Sequence, residues 1–110
     1  MIRSKIEAIE EKLRNDERIP EPSRQEILQL LEALKPEITW LSTEQREPAE
    51  SIAGFVERSS HEALRRHKNP QLHRISLEAL SISVKEFETT HPALVKVVNQ
   101  IATALANLGI

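Results

Sequence analysis

Cysteine is absent from this 110-residue chain, which excludes disulfides, thiolate catalysis and cysteine-type zinc sites. Aromatic residues are only 3% of the chain, namely Trp40, Phe55 and Phe87, with no tyrosine. A core must therefore come from Leu, Ile, Val and Ala. Glycine occurs only at positions 54 and 109, so no Gly-rich phosphate loop is possible. Few glycines together with many Leu, Glu, Ala and Arg residues favour helix over sheet. No apolar run approaches the roughly 18 residues of a membrane span. The stretch from Met1 to Arg14 alternates charges with isoleucines and lacks the apolar centre of a signal peptide. The net charge of −2 supplies no global field toward nucleic acid or anionic membrane. These absences predict a cytoplasmic protein with no membrane partner.

What is present is a globular composition, 39% hydrophobic, arranged with helical spacing. The length fits one domain, residues 1–110. Ile2, Ile6, Ile9 and Leu13 recur at four, three and four and predict a first helix over 2–14. Arg3, Glu7, Glu10 and Arg14 are expected to form exposed i,i+4 pairs. The helix should stop before Pro20 and Pro22, because proline disfavours helical geometry in the residue before it. Ser23 and Glu26 have the spacing of a capping box opening a second helix. Its stripe is Ile27, Leu31, Leu34, Ile38 and Leu41. Pro36 removes a backbone donor and crowds the Glu32 carbonyl, so a kink or brief break is expected there.

Ser42 to Arg46 reads as a loop, and Pro48 suits the first turn of a third helix. The inward residues of that helix are Ile52, Val56, Ser59 or Ser60, and Ala63, with Ala53 and Gly54 nearby. The cationic run Arg65-Arg66-His67-Lys68 suits the negative pole at the end of this helix. Asn69-Pro70 reads as a cap followed by a first-turn proline. A fourth helix, over about 70–88, carries two opposed stripes. One is Leu77, Leu80, Val84 and Phe87; the other is Ile75, Ala79 and Ile82. A helix apolar nearly all round is a central or interface helix. His91-Pro92 opens the last helix, with Leu94, Val98, Ile101, Leu105 and Leu108 inward. Gly109 sits where a left-handed cap belongs, with Ile110 placed to pack on Leu105.

Few residues offer chemistry. His61, His67 and His73 are six apart in sequence, so successive pairs diverge by about 120° on a helix and do not form a two-histidine zinc face. Glu57 and His61 share a face, but two ligands are not a site. The histidines are expected to be solvated or capping. Ser59, Ser60 and His61 lie in helical sequence without a nucleophile elbow. No catalytic residue, metal site or cofactor is assigned, and the chain is read as not an enzyme. The segment 65–74 is the best candidate for phosphate contacts. It lacks aromatics for base stacking, and a solvated helix end is the preferred reading. Trp40 lies off the main stripe of the second helix and is expected to cap a core edge.

The segment Phe87-Glu88-Thr89-Thr90-His91-Pro92-Ala93-Leu94, followed by Leu105-Ala106-Asn107-Leu108-Gly109-Ile110, resembles a domain-of-unknown-function family of short bacterial helical proteins. Members tend to end in F-E-x-x-H-P-x-L and then L-x-x-hydrophobic-G-I. The resemblance implies a bacterial, cytoplasmic, helical protein and no particular chemistry. The combined expectation is an all-α bundle of four or five helices that self-associates, with Ile75, Ala79 and Ile82 at a dimer interface. The expected role is a noncatalytic interaction protein. The alternatives are a nucleic-acid-associated protein using 65–74 and, further off, an enzyme or metal protein.

Overall fold

Apolar residues at spacings of three and four place one buried stripe on each helix, and burying those stripes together generates a helical bundle. A computed structural model describes residues 2–108 and contains five α-helices. They are α1 (Ile2–Asn15), α2 (Glu21–Glu44), α3 (Arg46–Ala63), α4 (Pro70–Val84) and α5 (Pro92–Leu108). A short 3₁₀ turn, Lys85–Phe87, follows α4, and no strand occurs among the described residues. The expected cap at Gly109 and Ile110 lies outside them. α2 packs chiefly on α5 and α3 on α4, while α1 lies across α2 and α3. Leu13, Leu31, Leu34, Ile38, Val56, Leu80, Phe87 and Ile101 are fully or almost fully buried in one core.

The buried stripes match the spacing read from the sequence, but several local expectations need correction. α2 begins at Glu21, with Pro20 in extended geometry as its N-cap and no side-chain cap. Ser23 therefore lies inside the first turn and forms no capping box. Pro22 is tolerated there because first-turn amides have no intrahelical partner. Pro36 lies within α2, and the helix is not broken. The packing of Leu34, Ile38 and Leu41 into the core holds the helical path past the missing donor.

The loop expected at Ser42 to Arg46 contracts to the single residue Gln45, whose amide donates to the Leu41 carbonyl at 2.7 Å. Ser42 and Thr43 remain helical and turn their hydroxyls back to the carbonyls of Thr39 and Trp40 at 2.7 and 2.6 Å. Hydroxyls bonded this way are satisfied within the helix without strengthening it, and the burial of Leu41 in the core carries α2 on to Glu44. α4 ends at Val84, short of the expected 88. The cap at Asn69 is as expected: its side chain accepts from the Leu72 amide at 3.0 Å.

Candidate functional site

Three surfaces carry the residues singled out in the sequence. The first is the outer face of α4. Leu80 and Val84 are buried and Leu77 is partly buried against the core. On the far side, Leu72, Ile75 and Ile82 are 44%, 48% and 66% exposed. Ala79 completes that row. The helix therefore has one stripe in the core and a second, Leu72–Ile75–Ala79–Ile82, facing outward.

The second surface is the basic segment. It does not form one continuous cationic face. Arg65 donates to Glu62 at 3.0 Å, Lys68 to the Ala63 carbonyl, and Arg74 lies 3.7 Å from Glu78. Arg18, from the α1–α2 turn, joins this end by donating to the Leu64 carbonyl at 2.6 Å. These cations mostly neutralise the C-terminal carbonyls of α3 and nearby carboxylates, as the helix dipole favours. His73 is buried, and neither ring nitrogen has a partner among the described residues. The groove beside the segment, about 820 Å³, is mixed in charge, with Glu11, Asp16 and Glu17 facing Lys12, Arg65 and Arg66.

The third surface is the corner where α2 ends and α5 begins. His91 is buried there rather than solvated. Its Nε2 lies 3.0 Å from Glu44 Oε1 and its Nδ1 lies 3.0 Å from Thr90 Oγ1. A carboxylate only accepts, so in the neutral ring Nε2–H donates to Glu44 and Nδ1 accepts from the Thr90 hydroxyl. Phe87 meets the His91 ring edge-on at 5.6 Å, and Trp40 meets it at 5.0 Å. Trp40 is 55% exposed, so it does not cap a core edge as expected. Its indole is tilted against the imidazole, and more than half of the residue faces water. The long-range contact of His91 with Glu44 had no signal in the sequence, because nothing local pairs residues 47 apart.

The motif residues sort by position. Phe87 and Leu94 are buried, Pro92 opens α5, and His91 ties that opening to α2. Leu105 is buried and Leu108 is partly so, while Glu88 is exposed. The first half of the motif therefore builds the corner, while Leu108 lies at the far end of α5 beside Ile19, Pro20 and Leu64. The DUF4404 family, a domain of unknown function, matches residues 27–110. The chain belongs to that family. The match runs from Ile27, inside α2, through α5 and leaves α1 outside it. No curated protein and no solved structure matches the chain.

Other chemical candidates are dispersed. Ser59 and Ser60 are both buried, and the Ser59 hydroxyl donates to the Phe55 carbonyl. His61 and His67 are exposed. Among the described residues, no group of three or more His, Asp or Glu could hold a metal, and no helix is long and apolar enough to cross a membrane.

A charged cluster missed in the sequence joins α1 to α2. Glu10 is buried, not in an exposed pair with Arg14, and its Oε1 lies 2.8 Å from Lys35 Nζ. Lys35 also donates to Glu32 at 2.5 Å. Glu10 first, then Glu32, raise the lysine above its ordinary 10.5. The hydrogen bond from Lys35 holds Glu32 below its ordinary 4.5. The signal that could have found this cluster is angular. Glu10 directly follows Ile9, one of the stripe residues, and Lys35 directly follows Leu34, so each flanks a buried row.

Proposed function

We propose that this member of the DUF4404 family is a noncatalytic protein that acts by self-association, its dimer contact formed by α4. The observation that supports this reading is the outward row of exposed Leu72, Ile75 and Ile82, with half-buried Ala79 between the two isoleucines. The spacing of three, four and three reads the same in both directions. A second copy laid antiparallel about a two-fold axis therefore presents the same row in register. Leu72 then meets the partner's Ile82, and Ile75 meets the partner's Ala79, large against small. Two-fold pairing is the commonest closed arrangement and needs a self-complementary patch. The row is short, so the contact is at the weak end of specific interfaces.

A noncatalytic role also accords with how the candidate nucleophile is engaged: Ser59 is buried and its hydroxyl is turned to the Phe55 carbonyl.

The test is light scattering across a concentration series that reaches hundreds of micromolar. The expected result is a monomer–dimer transition. Ile75→Glu and Ile82→Glu should each abolish it while leaving the circular dichroism spectrum helical. Leu77→Glu, on the inner side of α4, should instead lower thermal stability. A wild-type chain that stays monomeric throughout the series would overturn the reading.

A further inference from the structure

Among the described residues, the corner around Trp40 carries more carboxylates than cations. The contacts Arg18–Leu64 and Glu44–His91 place the C-terminus of α2, the N-terminus of α3, the 3₁₀ turn and the start of α5 at one end of the bundle. Glu44, Glu47, Glu86 and Glu88 are all exposed there. Among the described residues, Arg46 lies 3.6 Å from Glu50, Lys85 is exposed on the 3₁₀ turn, and Lys5 lines a groove with Glu50. Lys96, the next cation along α5, lines a separate groove with Glu26 and Leu30.

The other end of the bundle is handled differently. Carbonyls at and just past the end of α3 receive Lys68 and Arg18, and the Asp16 carbonyl beyond α1 receives Arg24. The last turn of α2 has no basic residue. Among the described residues, the Leu41 carbonyl in that turn receives the neutral amide of Gln45, and the hydroxyls of Ser42 and Thr43 go to the carbonyls of Thr39 and Trp40 just before it. The negative pole of this 24-residue helix is thus left without a cation from its own last turn, where a cation is stabilising.

Trp40 stands at this pole. His91 fixes one side of the indole and leaves more than half of the side chain in water. His91 also holds Glu44 through Oε1, so the second carboxylate oxygen is offered to an outside donor. A fixed indole beside a fixed carboxylate matches a planar guanidinium, which stacks on the ring and directs its N–H groups to the oxygen. We propose that the Trp40–Glu44 corner docks an arginine-bearing segment of a partner protein, at a surface separate from the α4 row.

Trp40 is the only tryptophan and the chain has no tyrosine, so its emission reports this corner directly. Full-length protein is titrated with an end-capped arginine tetrapeptide and with the matching lysine and glutamate peptides. The expected result is a saturable change in Trp40 emission with the arginine peptide. The change should be weaker with lysine, absent with glutamate and reduced by added salt. Glu44→Gln keeps an acceptor for His91 but removes the charge, and should weaken binding about tenfold, which corresponds to roughly 1.4 kcal/mol. Trp40→Leu, read by calorimetry, should weaken it similarly.

Unchanged emission with the arginine peptide would overturn the proposal, as would equal response to the glutamate peptide. Binding that survives both substitutions would do the same. Concentration-dependent association lost with Ile75→Glu and retained with Trp40→Leu would separate this surface from the α4 row.

Discussion

Lys35 is the residue whose replacement should matter most out of proportion to its type. Its ammonium meets Glu10 in the interior, and Glu10 Oε2 already lacks a partner among the described residues. Lys35→Met would strand the whole carboxylate. Breaking a buried pair from one side costs about 3–5 kcal/mol, whereas replacing both partners by apolar groups is often neutral. The expected outcome is a large fall in melting temperature for Lys35→Met, with substantial recovery in Glu10→Met/Lys35→Met. A single variant that melts like the wild type would show that the pair is not sequestered.

The same cluster sets a pH dependence with two limbs. Glu32 and Asp16 are held below their ordinary 4.5 and 3.8 by hydrogen bonds from Lys35 and Arg18. The stability they contribute is present above those unfolded values and is lost as pH falls through the lower folded ones. Lys35 is raised above 10.5. Its contribution is complete below that value and is lost as pH rises through the folded one. Thermal melts from acid to strongly alkaline pH should show a plateau between the two limbs. The alkaline limb should shrink in Lys35→Met, and an alkaline limb of unchanged size would refute the assignment.

At the scale of elements, α4 is where composition and environment disagree most. Its inner row is buried by α3 and α5, and its outer row has no cover within the described chain. An Ile→Glu change on the outer row should cost little in the folding of the monomer, because surface substitutions away from special features usually fall within about 0.5 kcal/mol. The same change on the inner row places a carboxylate against the core and should cost several times more. Thermal melts at a concentration below dimer formation measure this contrast directly. Equal losses for Ile82→Glu and Leu80→Glu would mean that the outer row is buried in the monomer. α1 stands apart for another reason: it lies outside the family match yet contributes Ile6, Ile9 and Leu13 to the core. The family portion and α1 are therefore expected to melt as one unit.

At the scale of the whole molecule, the charge is close to balanced, with a net of −2, but it is not evenly placed. One end gathers Glu44, Glu47, Glu86 and Glu88, and the other gathers Arg18, Arg65, Arg66 and Lys68. At the basic end, three of the four are engaged by carbonyls or carboxylates of the chain itself. Phosphate binding gains strength from cations that release counterions, and cations already paired in cis contribute less. The protein is expected to pass a duplex DNA column at physiological salt without retention. Retention that falls steeply with salt and is lost with Arg66→Glu would favour the nucleic-acid reading instead.

The sequence alone determined the helices and their inward rows. Spacings of three and four are local, and every buried row except part of α4 follows from them. The cap at Asn69 and the entry at Pro92 are legible for the same reason, since each depends on residues within one turn. Three things were decided only by tertiary packing. Continuity past Pro36 and through Ser42 to Glu44 depends on core contacts that outweigh local helix-breaking tendencies. The burial of Glu10, Lys35 and His91 depends on which helix lies opposite, and no short-range pattern specifies that. The exposure of Trp40 and of the outer α4 row depends on how many neighbours the fold supplies. Periodicity shows that a face is apolar; only the finished bundle shows which apolar faces are left without a partner.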